Sequence, residues 1–239
     1  MNASNTNNMN QDFLHQKRLD LSEACRRLAR ENMASGTAGN ASVRISHSSD
    51  EMVLITPLGQ PMSDIEPQDL SLVSIEGEPI SENLPPSSET LLHIATYLAR
   101  PEITAVVHTH PKFAGILAVS AKTLPALLDE MVINLGGPVS VADYAFPGTE
   151  ELANSAVRSL GDRMAVILRN HGVIAAGMSL DDAVSNTMLV EHASQIFVYT
   201  SLLGETHALP HDIVEREREL YKMRISVKLS NQKDHGHST

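Results

Sequence analysis

The stretch Ala105-Val106-Val107-His108-Thr109-His110 decides how this chain is read. Its apolar, β-branched run predicts a strand over 104–110, and residues two apart on a strand point to one face. His108 and His110 therefore leave the strand together, close enough to share a metal ion. A second strand-like run, Ala165 to Arg169, ends at Asn170-His171-Gly172 and offers a third imidazole. Upstream, Pro85-Pro86-Ser87-Ser88-Glu89 opens a helical segment with a carboxylate. Three histidines and a carboxylate suit Zn²⁺, one ion per subunit. Imidazoles also accept Mn²⁺, Co²⁺ or Fe²⁺, so the ligand set leaves the metal's identity open.

Each part also has a plainer reading. An isolated H-x-H pair is often two ordinary histidines. It is the addition of N-H-G and S-S-E, from separate segments, that favours a metal centre. His93 shares a helix face with Glu89 and is a rival ligand, though a hydrogen-bonded packing role is favoured. Glu191 and His192, on a long late helix, read as packing or surface groups. The turn Gly36 to Asn40 reads alone as a helix stop. Beside a metal it would offer backbone N–H groups and the Asn40 amide to a phosphate. Free N–H groups and the hydroxyl of Ser87 at the helix start suit a phosphate as well.

Zn²⁺ on neutral imidazoles is a strong Lewis acid. It can polarise a carbonyl and stabilise the enediolate formed when a neighbouring C–H or C–C bond breaks. Glu89 can then serve as ligand, as base, or as each in turn.

Working outward, helices are predicted over 12–33, 88–98, 112–119, 150–160, 180–203 and 211–225. Strands are predicted at 41–46, 52–56, 70–75, 104–110, 139–142, 165–169 and 173–176. Strands cluster centrally with helices before and after, which predicts α/β layers. The pattern does not give the strand order. A single domain over 12–229 is expected, with polar tails at 1–11 and 230–239. His235 and His237 repeat the H-x-H spacing in the second tail, with no strand to orient them.

A net charge of −11 argues against a general binder of nucleic-acid phosphates. No apolar run reaches the ~18 residues of a membrane span, and the N-terminus reads as neither signal nor anchor. The single cysteine, Cys25, lies in a helical apolar pattern and fits a core position and a reducing, cytoplasmic setting.

Five segments together resemble the class II aldolase/adducin family. They are G-T-A-G-N-A-S (36–42), I-T-P-L-G (55–59), P-S-S-E-T-L-L-H (86–93), A-V-V-H-T-H (105–110) and R-N-H-G-V-I-A (169–175). The likeness covers roughly residues 12–225 and is nearest to the family's aldolases of substrates such as L-fuculose 1-phosphate. It implies a three-layer α/β/α sandwich around a mainly antiparallel sheet, and a homotetramer with active sites between subunits. It also implies a zinc-dependent aldehyde-lyase that cleaves a small sugar phosphate into dihydroxyacetone phosphate and an aldehyde. By resemblance, His108, His110 and His171 bind zinc, and Glu89 approaches it as acid/base. Asn40, Ser87 and Ser88 would hold the substrate phosphate, with backbone help near Gly39 and Gly59. Tyr221 matches a tyrosine that closes the aldolase site.

Two positions depart from the pattern. Leu58 stands where family aldolases often carry Ser or Thr, which removes a phosphate-facing hydroxyl. Glu130 aligns with a catalytic tyrosine, in a Glu-Met setting like that of related methylthioribulose-phosphate dehydratases. It reads either as a second acid/base or as an exposed acid or intersubunit ion pair. Dehydration, epimerisation or decarboxylation on the same metal, or a non-catalytic adducin-like interaction domain, are the alternatives.

Overall fold

The computed structural model describes residues 3–47, 50–80 and 84–236. Helix α1 (Ala3–Arg30) leads into strands β1 (Asn40–His47), β2 (Asp50–Ile55) and β3 (Ser71–Ser74). Then come α2 (Thr90–Ala99), β4 (Ala105–Thr109), α3 (Lys112–Ser120), α4 (Asp129–Leu135), β5 (Val141–Ala142) and α5 (Glu150–Leu160). Strands β6 (Ala165–Leu168) and β7 (Val173–Gly177) and helices α6 (Leu180–Leu203) and α7 (His211–Gly236) complete the chain.

The strands form one sheet in the order β3-β2-β1-β4-β7-β6-β5. Every pairing is antiparallel except β5 with β6, so the sheet is mixed with an antiparallel majority. β4 is central, between β1 and β7, and all five of its residues are buried. Strands buried on both faces read as continuous apolar runs, which is the character of Ala105-Val106-Val107.

Alternation sorts the core. Ala105 and Val107 pack with Leu21, Cys25 and Leu28 of α1 and with Val43, Leu54 and Leu72. Val106 points the other way, among Val53, Ile55, Ile94 and Tyr97 of α2 and Leu152 and Ala156 of α5. Cys25 is fully buried, and burial pushes its thiol up to about 12, so it is a small core residue. No helix among the described residues is long and apolar enough to cross a membrane.

Three features differ from the sequence reading. Helix α1 begins at Ala3, inside the segment expected as a tail. Helix α7 continues to Gly236, past both its expected end at 225 and the expected tail boundary. Helix α4 was not anticipated. Met131, Val132 and Leu135 are buried, but seven residues are too few for a helical period to stand out.

Candidate active site

Three chain turns meet at the end of β4. Register places His108 opposite Asn40 on β1 and Ile174 on β7. β4 ends at Thr109, and the N–H of His110 donates to the Met33 carbonyl at 3.0 Å, which fixes the exit of the chain. His171 sits in the tight β6–β7 turn, where the N–H of Leu168 donates to the Gly172 carbonyl at 2.7 Å. Gly172 is required there. A Cβ would fall 2.4 Å from the Thr109 carbonyl oxygen and 2.8 Å from His110 Cδ2.

Glu89 is the N-cap residue of α2, yet its side chain makes no capping bond. It turns inward instead, with Oε2 at 3.1 Å from His108 Nε2 and Oε1 at 3.4 Å from His171 Nε2. The Nε2 atoms of His108 and His110 lie 2.8 Å apart. One ligand atom from each of the three histidines falls within 4.8 Å of the others.

This geometry calls for a cation. His108 Nδ1 lies 3.0 Å from the Val173 carbonyl, which can only accept, so Nδ1 carries the proton. In the Nδ1–H tautomer the Nε2 lone pair faces a carboxylate and a second imidazole. Buried Oε1 of Glu89 and Nδ1 of His171 have no hydrogen-bond partner. Converging lone pairs in a buried site repel unless a proton or a metal lies among them. The three-histidine cluster therefore fits a divalent metal.

Burial lowers both His110 and His171 to about 4, so neither ring is charged near neutrality. Glu89 behaves oppositely. Burial would raise it, but His108, the Asn40 amide and His171 outweigh that and hold it far below the usual carboxylate range. The site thus presents neutral rings at His110 and His171 and an ionised carboxylate, protonation states that metal binding requires.

Residues 19–198 match the family model for the class II aldolase and adducin N-terminal domain. The chain belongs to the class II aldolase/adducin family. It is 33% identical over 204 residues to 5-deoxy-D-ribulose 1-phosphate aldolase of Bacillus thuringiensis, covering 85% of this chain and 94% of that protein. It is 34% identical to 5-methylthioribulose-1-phosphate/5-deoxyribulose-1-phosphate aldolase of Rhodospirillum rubrum, covering 84% and 89%. Among solved structures, an L-fuculose 1-phosphate aldolase superposes with a TM-score of 0.81 at 32% identity, covering 87% and 96%. With aldolase-named relatives across nearly its whole length, this class II aldolase-family chain is a metal-dependent lyase.

Thr56, which the sequence reading did not single out, joins two of the segments that carry the expected phosphate residues of this family member. The Thr56 N–H donates to the Ala41 carbonyl at 3.1 Å, and Thr56 Oγ1 accepts from the Ala41 N–H at 3.2 Å. Its carbonyl accepts from the Ser87 N–H at 3.0 Å. The Leu58 N–H donates to Pro85 at 2.9 Å, so the turn ending at Gly59 lies against Pro85–Ser88. Gly39 approaches the His108 carbonyl so closely that a Cβ would fall 2.9 Å from its oxygen. Ser88 is exposed and Ser87 is buried. Asn40 Nδ2 donates to Glu89 Oε2 at 2.9 Å and its Oδ1 lies 2.5 Å from His93 Nε2, contacts that use one of the two Nδ2 protons.

Two expected residues are not brought to the site. Tyr221 is 2% exposed and donates its hydroxyl to the Asp162 carbonyl at 2.5 Å. It packs beside Met164 and Gly177, the far end of β7 from His171, so its phenol cannot close this chain's site. Glu130 is exposed in the first turn of α4 and shares a surface groove with Asp181, Asp182 and Arg224. Asp181 and Asp182 follow the Gly177 end of β7, roughly 13 Å of strand from Val173. His93 is buried and bonded to Asn40 and Ser42, a packing histidine rather than a ligand.

The sequence reading also missed Ser42 and Tyr97, buried partners in the same polar cluster. Their spacing carried a signal. Asn40 and Ser42 share one face of a strand, and Glu89, His93 and Tyr97 recur at four-residue steps along a helix.

Proposed function

We propose that this chain is a zinc-dependent aldehyde-lyase that cleaves a small ketose 1-phosphate to dihydroxyacetone phosphate and an aldehyde. One observation carries the reading: the Glu89 carboxylate stands against both His108 and His171, at 3.1 and 3.4 Å. Deoxy-ketose 1-phosphates are the substrates named for the relatives, and they define the class to test first. His108, His110 and His171 would hold the metal, with Glu89 able to join them. When bound, the metal supplies Lewis acidity toward the substrate carbonyl and its neighbouring hydroxyl. Glu89 takes the proton of the hydroxyl at the breaking C–C bond and returns one to the carbon fragment.

Ser87, Ser88 and the backbone near Gly39 and Gly59 form the phosphate end, with Asn40 acting mainly on Glu89. Leu58 contributes no hydroxyl there, so phosphate is held by fewer side-chain donors. Glu130 reaches a site only across a subunit boundary, which fits a homotetramer with shared sites. A cytoplasmic enzyme with a single core cysteine is the matching setting.

The test is product analysis with zinc-loaded protein and ketose 1-phosphates, including L-fuculose 1-phosphate and 5-deoxyribulose 1-phosphate. Stoichiometric dihydroxyacetone phosphate and aldehyde support the lyase. A single dehydrated product, an epimer or CO₂ assigns the platform to another reaction. No turnover of any of them by metal-loaded protein removes the proposal.

A further inference from the structure

Glu89 is attached to a buried chain of polar groups that bond breaking does not itself call for. Tyr97 Oη lies 2.7 Å from Ser42 Oγ, which lies 2.7 Å from His93 Nδ1. His93 Nε2 lies 2.5 Å from Asn40 Oδ1, and Asn40 Nδ2 lies 2.9 Å from Glu89 Oε2. All five residues are buried. The chain crosses from the sheet to the helix twice, so β1 and α2 both set its geometry.

Its direction follows from what each atom can do. An ionised carboxylate only accepts, so Asn40 must present its NH₂ to Glu89 and its oxygen to His93. That oxygen only accepts, so His93 carries its proton on Nε2. A neutral ring then has a bare Nδ1, which accepts from the Ser42 hydroxyl. The remaining lone pair of Ser42 receives the Tyr97 hydroxyl. Each proton in the series points toward Glu89, and bonds aligned this way reinforce one another.

We propose that Tyr97, Ser42, His93 and Asn40 are positioning residues that pin Glu89 Oε2 as a permanent acceptor and leave Oε1 to carry the reaction's proton. Oε1 is buried and accepts no hydrogen bond among the described residues. A proton on Oε2 would confront the Asn40 N–H, and relieving that clash would require the whole series to reverse. The proposal rests on the reading of Glu89 as the proton-transfer group.

The direct test is long-range ¹H–¹⁵N NMR of the full-length, zinc-loaded protein labelled with ¹⁵N-histidine, with His93→Gln used to assign His93. The expected result is an Nε2–H tautomer whose Nδ1 signal moves in Ser42→Ala. An Nδ1–H tautomer or an imidazolium overturns the proposal. In kinetics, His93→Leu should lose kcat by about 10- to 100-fold at unchanged KM and unchanged zinc per chain. His93→Gln keeps an N–H toward Asn40 and should recover most of that loss. A Leu variant as fast as wild type, or a Gln variant as slow as Leu, contradicts the mechanism. A fully active, zinc-loaded Glu89→Gln enzyme would overturn the proton-transfer reading and the role given to Oε1. The His93 tautomer would still report the direction of the chain.

Discussion

His108 Nδ1 is 3.0 Å from the carbonyl oxygen of Val173, the residue paired with Thr109 across the β4–β7 ladder. In the neutral ring that contact determines which nitrogen is bare. A carbonyl cannot donate, so the proton sits on Nδ1 and the Nε2 lone pair faces Glu89 and His110. Sheet register thereby sets the tautomer that a metal needs. Removing the metal should cost stability, because converging lone pairs lose the cation that reconciles them. Chelation is expected to lower Tm, and re-addition of Zn²⁺ should restore it. A Tm that ignores both treatments would argue that the cluster is self-sufficient.

Glu89→Gln keeps the size of the side chain and removes its charge. Zinc should stay bound on the three histidines while kcat falls by about 10²- to 10⁴-fold, the range for losing a positioned acid/base. Parallel metal analysis and steady-state kinetics make the check. Wild-type turnover in the metal-loaded variant would end the role given to Glu89.

Gly172→Ala should disturb the site without touching a ligand. The added methyl has no room between the Thr109 carbonyl and the His110 ring. A cost of about 1–3 kcal/mol is expected, together with weaker zinc binding as the β6–β7 turn shifts His171. Denaturant titration and chelator competition read the two effects. An unaltered protein would mean the turn yields more readily than the contacts imply.

His93 titrates far from its usual range. Full burial lowers it to about 3. The unfolded chain takes up that proton near pH 6.5 while the folded chain does not. Stability is therefore fully present above about pH 6.5 and declines as the pH falls toward 3, by at most about 1.4 kcal/mol per unit. Between pH 6.5 and 5, His93→Gln should show a shallower decline than wild type. Identical slopes would contradict a neutral buried imidazole.

Tyr221→Phe separates family resemblance from this chain's geometry. The hydroxyl serves the Asp162 carbonyl, so its loss should cost about 1 kcal/mol of stability and leave kcat essentially unchanged. A large fall in kcat at full stability would return Tyr221 to the reaction.

What the sequence made legible was periodic. Alternation around His108 and the apolar runs of β4, β6 and β7 located the sheet, the three clustered histidines and Glu89. The same rule could not order the strands, because pairing partners such as Asn40 and His108 are far apart along the chain. Nor could it place Tyr221, whose burial depends on how α7 packs on α4. Ser42, inside β1, and Thr56, just past β2, escaped notice because single hydroxyls in or beside strands look ordinary until their partners are known. Asn40 was identified as a site residue, yet only tertiary contacts reveal that both ends of its amide are already engaged.

Elemental analysis of tag-free protein, wild type beside His108→Ala/His110→Ala, tests the metal centre most directly. The account predicts about one divalent metal per wild-type chain, loss of that metal in the folded double variant, and loss of lyase activity with it. Wild-type protein that holds no metal and takes up neither Zn²⁺ nor Mn²⁺ would contradict it.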